Sequence, residues 1–107
     1  MTSNVRITTI CENKSPGGGL LGEHGLSMLL EVGDKRILFD TGSGLTLLPN
    51  AARLGINLGR LDAILLSHGH YDHTGGLLPL CKKFAAAPVY AHPDIFVPKY
   101  RSPGIFP

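Results

Sequence analysis

The sequence predicts a mixed α/β fold organised around one sheet of mixed strand direction. Three patterns point to it: a β-branched alternating stretch near the start, a hairpin pattern after it, and then strand and helix patterns in alternation. A bundle would need helical periodicity throughout and a sandwich would need strands throughout. The 107 residues have the length of one small domain, able to bury a modest core, and a second complete domain does not fit.

Residues 5–11 come first, a β-branched stretch with the period-two alternation of a strand. Lys14, Ser15 and Pro16 lead into Gly17, Gly18 and Gly19, a run that cannot hold regular structure. The Lys and Ser or Thr that follow the glycines of a phosphate-binding loop are absent, so this stretch reads as a flexible loop at the rim of a site. Leu26, Met28, Leu30 and Val32 then point one way, Gly33 and Asp34 make a turn, and residues 36–40 return as the second strand of a hairpin.

Thr46 is placed to cap a short helix over residues 47–54, with Pro49 in its first turn and Gly55 where a C-terminal glycine belongs. Residues 61–67 are almost continuously apolar, which fits a strand buried on both faces. Leu77, Leu80, Cys81 and Phe84 recur at i, i+3, i+4 and i+7, the stripe of an amphipathic helix whose Lys82 and Lys83 face solvent. Residues 89–92 form a last short strand, and the proline-punctuated tail beyond has no periodicity.

Composition excludes several function classes. Ten Lys and Arg stand against eight Asp and Glu and are spread along the chain, so no dedicated nucleic-acid surface is expected. The longest apolar stretches, residues 26–30 and 63–66, fall far short of the roughly 20 residues that cross a bilayer, and no membrane partner is expected. The start lacks the basic segment and long apolar run of a secretory signal, which predicts a cytoplasmic protein. The two cysteines, Cys11 and Cys81, are far apart in sequence and read as buried structural thiols.

The chemistry concentrates in residues 67–76. Three of the five histidines, His68, His70 and His73, fall within six residues together with Asp72, directly after the most buried expected strand. Neutral imidazole and carboxylate are preferred ligands of zinc and similar divalent ions, and loops at the carboxyl ends of strands are where α/β sheets collect functional groups. His68 and His70 are two apart, so in an extended turn both project to one side and can grip one ion. Asp72 and His73 follow at a tighter bend and are placed to hold a second. Gly69 lets the backbone bend between ligands, and Gly75 and Gly76 let the next helix start close to the metals.

The block H-x-H-x-D-H at residues 68–73, preceded by Ser67 and by Leu38, Phe39, Asp40, Thr41 and Gly42, resembles the metallo-β-lactamase superfamily. The fuller strings at residues 23–27, 68–77 and 89–93 resemble the branch named after the methanopterin-pathway ribofuranosylaminobenzene phosphate synthases. The resemblance implies the N-terminal half of an αββα sandwich, with residues 1–107 as a single partial domain. It implies His68 and His70 on a first metal, Asp72 and His73 on a second, a catalytic role for Asp72 as well, and Asp40 as the aspartate that buttresses the ligand loop.

The family completes its site with further histidines and a bridging aspartate later in the chain. His92 and Asp94 come too soon to be those ligands, and His92 reads as a structural histidine at a strand end. Branch resemblance puts His24 near the mouth of the site, and Tyr71, between ligands, is a second candidate for substrate contact.

The implied activity is that of a zinc-dependent hydrolase or related synthase, with two zinc ions per complete site and Mn or Fe as alternatives. Hydroxide formed at the metals would attack an ester or phosphoester-type small molecule. Backbone donors at residues 74–76 would receive an anionic or phosphorylated substrate. The alternative is a catalytically silent half-domain that pairs with itself, as a homo-dimer, or with a second-half chain, because a missing second sheet would leave Met28, Leu30, Ile37 and Phe39 exposed. A di-iron reductase of the same fold normally carries a glutamate at the position of His70, and the second imidazole here favours zinc.

Overall fold

The computed structural model describes residues 4–12, 22, 25–84 and 87–93. Five strands, β1 (Val5–Cys11), β2 (Ser27–Val32), β3 (Lys35–Phe39), β4 (Ala63–Leu66) and β5 (Val89–Ala91), lie side by side in sequence order. The pairs β1–β2 and β2–β3 are antiparallel, and β3–β4 and β4–β5 are parallel. The helices are α1 (Leu47–Arg53), α2 (Tyr71–Thr74) and α3 (Leu77–Lys83). This is the expected mixed sheet; a two-residue turn joins antiparallel β2 and β3, and the parallel pairs fall where helices lie between the strands.

The hairpin closes at Gly33, whose φ of 60° is the only positive one in its turn, so glycine stands where an L side chain would be strained. In the register, Leu29 faces Leu38, Leu38 faces Ile64, and Ile64 faces Val89. Leu29, Leu38 and Ile64 are each at most 1% exposed and form the floor of the core. Full burial of such a side chain contributes about 1.5–3 kcal/mol. Leu47, Ala51, Leu58 and Leu80 close the core from above. An irregularity between Thr9 and Cys11 breaks the alternation of β1, and Ile10 and Cys11 are both buried.

The core therefore lies on the Leu29 side of the hairpin. Met28, Leu30 and Val32 share the other face with Ile37 and Phe39 and are only half-buried, with Val5, Ile7 and Tyr90 beyond them more than half exposed. The expectation that residues 61–67 are buried on both faces is corrected: within β4 only Ile64 is buried. The apolar face opposite the core has no covering layer among the described residues.

Thr46 does occupy the N-cap position of α1, but its side chain does not cap the helix; Oγ1 lies 3.2 Å from Cys11 Sγ. Buried Asn50 donates its side-chain amide to Ile10 O at 2.9 Å, a second tie between α1 and β1. At the other end, Gly55 (φ 73°) donates to Ala52 O and Ile56 donates to Ala51 O, the paired bonds of a Schellman motif. Arg36 secures the β3–β4 crossover by donating from Nη1 to Asn57 O and Arg60 O, both at 2.8 Å. In α3, Leu80 is buried and Leu77 and Phe84 half-buried as the stripe requires, but Cys81 is exposed, contrary to expectation. Among the described residues no helix is long and apolar enough to cross a membrane.

Candidate metal centre

The carboxyl ends of β3 and β4 are neighbours in the sheet, and this parallel pairing brings two distant stretches of sequence together. Asp40 follows β3 with φ 58°, a left-handed conformation that aspartate tolerates better than most residues. Its side chain is fully buried. The Ser67 amide donates to Asp40 Oδ1 at 2.7 Å, and the Ser67 hydroxyl donates to Oδ2 at 2.6 Å. His73 Nδ1 lies 2.7 Å from the same Oδ2. Ser27, also buried, donates its hydroxyl to the Asp40 carbonyl at 2.8 Å.

After Ser67 the chain turns through His68, Gly69 and His70 into α2, a single turn capped by His70 in extended conformation. His68 and His70 are exposed, with their Nδ1 atoms 3.1 Å apart and ring centroids 4.7 Å apart. The His73 ring lies 4.1 Å from that of His68. On its far side, His73 Nε2 is 3.6 Å from Asp72 Oδ2. Two donors bound to one zinc at about 2.0–2.2 Å, in tetrahedral geometry, are roughly 3.3 Å apart. The spacings within the two pairs thus suit a shared ion for each pair, and nitrogen and carboxylate oxygen are the donor types zinc takes. Among the described residues no group of three such side chains forms a metal cluster.

The His68 imidazole is held below its ordinary pKa of 6.5, first by partial loss of water around the ring, then by repulsion from His73 and His70. Attraction by Asp40 and Asp72 opposes this without cancelling it. A lowered value keeps the ring in the neutral form that ligates metals.

The α2 turn is fastened from the hairpin side. Leu26 donates to the Asp72 carbonyl at 3.1 Å, and Thr41 donates both its amide (2.6 Å) and its hydroxyl (2.9 Å) to the His73 carbonyl. Thr41 Oγ1 in turn accepts the Gly76 amide at 3.1 Å. A Cβ on Gly76 would stand far inside van der Waals contact with Thr41 O, and one on Gly75 far inside contact with Ser43 O. These glycines are needed for contact with the Asp40–Ser43 loop, which corrects the expectation that they make room beside the metals.

A second correction concerns the amides of residues 74–76. Thr74 donates to His70 O, Gly75 to Tyr71 O and Gly76 to Gly42 O, so all three are engaged inside the chain and none is offered to an anionic ligand.

Tyr71 opens α2 and is 52% exposed. His92 is exposed just beyond β5, beside a cleft of about 440 Å³ bordered by Gly69, Thr74, Leu77 and Val89. His24, the glycine run and Asp94 lie outside the described residues. Ser67, Thr41 and Ser27 were given no role by sequence reasoning. Their only signal was position, next to Asp40 or at a strand end facing it.

The family model of the Metallo-beta-lactamase superfamily matches residues 20–106. A 7,8-dihydropterin-6-methyl-4-(beta-D-ribofuranosyl)-aminobenzene-5'-phosphate synthase of Methanocaldococcus jannaschii is 42% identical over 100 residues, covering 87% of this chain and 34% of that protein. A ribonuclease of Thermus thermophilus is 37% identical over 78 residues, 71% of this chain and 18% of its own length. Among solved structures, the metallo-beta-lactamase fold protein YhfI of Bacillus subtilis is similar with a TM-score of 0.60 and 27% identity, over 88% of this chain and 39% of that one. The chain spans about a third of the length of the first curated relatives it matches. A mixed five-stranded sheet with a histidine-rich turn after β4, and a family match over most of its length, place this chain in the metallo-β-lactamase superfamily.

Proposed function

We propose that the chain carries the front half of a dinuclear zinc site of a hydrolase, or related synthase, acting on phosphoester or ester substrates. The observation that carries the reading is the sorting of donors into two pairs, His68 with His70 and Asp72 with His73, around the buried Asp40 carboxylate. His68 and His70 would hold one ion and Asp72 and His73 the other. Two donors leave each ion short of the four ligands zinc usually takes, so further donors would come from outside these 107 residues. Residues 1–107 would then be a partial domain.

Bound divalent ions supply Lewis acidity, which draws a proton from water near neutral pH and polarises a phosphoryl or carbonyl oxygen. The protein's own part is positional. Asp40 orients the His73 ring, Thr41 and Leu26 fix the backbone of His73 and Asp72, and the lowered pKa of His68 keeps its ring neutral. Tyr71, exposed in the turn that carries the ligands, would touch substrate. Phosphoesters are favoured because the synthase among the relatives is named for a 5'-phosphate compound and another relative is a ribonuclease. RNA therefore belongs in the substrate panel, although the even spread of charge predicted no nucleic-acid partner.

The uncovered apolar sheet face favours a second reading, in which the chain is silent alone and assembles with itself or with a second-half chain. Zinc analysis combined with assays on an ester, a phosphodiester and RNA separates the two. Turnover by the isolated chain with stoichiometric zinc removes the second reading. Turnover only when the chain is extended past residue 107 supports the first, and turnover only on adding a second copy or a second-half chain supports the second.

A further inference from the structure

We infer that Ser67 is a positioning residue for the metal centre, acting through Asp40 to set the tautomer and orientation of His73. The inference rests on the metal-site reading above and adds a residue to it. A carboxylate on a short side chain turns about a broad, weakly restrained terminal torsion. Asp40 is denied that freedom because Ser67 grips both of its oxygens, the amide on Oδ1 at 2.7 Å and the hydroxyl on Oδ2 at 2.6 Å. With the amide alone, Oδ2 would be left to His73. The hydroxyl holds Oδ2 where it also meets His73 Nδ1 at 2.7 Å.

An ionised carboxylate only accepts hydrogen bonds, so His73 donates from Nδ1–H and its lone pair is confined to Nε2. That nitrogen is the one 3.6 Å from Asp72 Oδ2. A single hydroxyl at the end of β4 thus selects which ring atom of His73 is presented beside Asp72. Ser67 itself is exposed, so its burial does not account for this arrangement, and its hydroxyl is not needed to fill the core.

The test uses Ser67→Ala and Ser67→Thr, read by nitrogen NMR of the His73 ring without metal and by zinc competition against a chromophoric chelator. The parent and Ser67→Thr are expected to show one tautomer, protonated at Nδ1, and equal zinc affinity. Ser67→Ala is expected to show mixed tautomers and about tenfold weaker zinc binding, the lower end of what outer partners of metal ligands contribute. An Ala variant with the parental tautomer and affinity overturns the inference, as does a folded Thr variant that behaves like Ala. Should Ser67→Ala not fold, Ser67→Cys, with its weak thiol donor, takes its place under the same criteria. A parent that takes up no zinc yet shows the tautomer change in Ser67→Ala defeats the metal reading and leaves the positioning role standing.

Discussion

Asp40 and His73 are 33 positions apart in sequence, yet Asp40 Oδ2 lies 2.7 Å from His73 Nδ1, with the carboxylate fully buried. Two donors from Ser67 and Nδ1 of His73 converge on this one side chain. Asp40→Asn replaces one accepting oxygen with a donor and leaves too few acceptors for them. The expected cost is about 1–3 kcal/mol of stability, read as a lowered urea midpoint with unchanged slope. Zinc affinity should fall about 10- to 100-fold in the same variant.

Glycine substitutions separate two kinds of constraint. A Cβ at Gly76 overlaps Thr41 O, whereas one at Gly33 meets nothing within 4 Å and is opposed only by φ of 60°. Gly33→Ala should therefore cost about 1–2 kcal/mol, the penalty of a left-handed residue. Gly76→Ala must displace the α2–α3 turn from the Asp40–Ser43 loop and should cost more, while also lowering zinc binding. Thermal unfolding of both variants gives the order, and equal melting temperatures would contradict it.

Protonation of His68 offers a pH test. Its folded-state pKa lies below the unfolded value of 6.5, so the unfolded chain binds the proton more readily. Its contribution to stability is fully present above that value and is lost as pH falls through the lowered folded pKa. Proton NMR of the metal-free protein should show the His68 ring titrating at lower pH than a histidine in a denatured control. Zinc release on acidification should follow the same direction.

Exposed apolar residues on the sheet face opposite the core lead to an expectation about assembly. Val5 and Ile7 are 63% and 61% exposed, and half-buried Leu30 and Ile37 continue the patch. The purified chain is expected to scatter light as a dimer or larger species. Ile7→Lys with Leu30→Lys should shift it toward monomer without touching the Asp40 cluster, and a parent that is already monomeric would remove the argument.

The hairpin strands and α3 were legible from their period, β4 from its unbroken apolar run and α1 from its capping residues, while β5 is exposed throughout. The core-facing side of the hairpin was harder to read. Met28, Leu29 and Leu30 are all apolar, so alternation marks a strand there without marking its inner face; the distinction comes from α1 and α3 packing over Leu29 and Leu38. The four residues of α2 are too few to show periodicity. The histidines and Asp72 announced themselves by residue type and spacing. Ser67 and Thr41 did not, because their roles arise from the parallel pairing of β3 with β4, which places residue 40 beside residue 67. The glycine pair was singled out correctly as a place of close approach, but its neighbour proved to be backbone.

Zinc content across an alanine series at the four candidate ligands tests the central claim most directly. The purified chain, dialysed against a measured free zinc concentration, is expected to retain zinc, and His68→Ala, His70→Ala, Asp72→Ala and His73→Ala are each expected to retain less. The result that contradicts the claim is a folded parent that holds no zinc, or one whose zinc content is unchanged in all four variants.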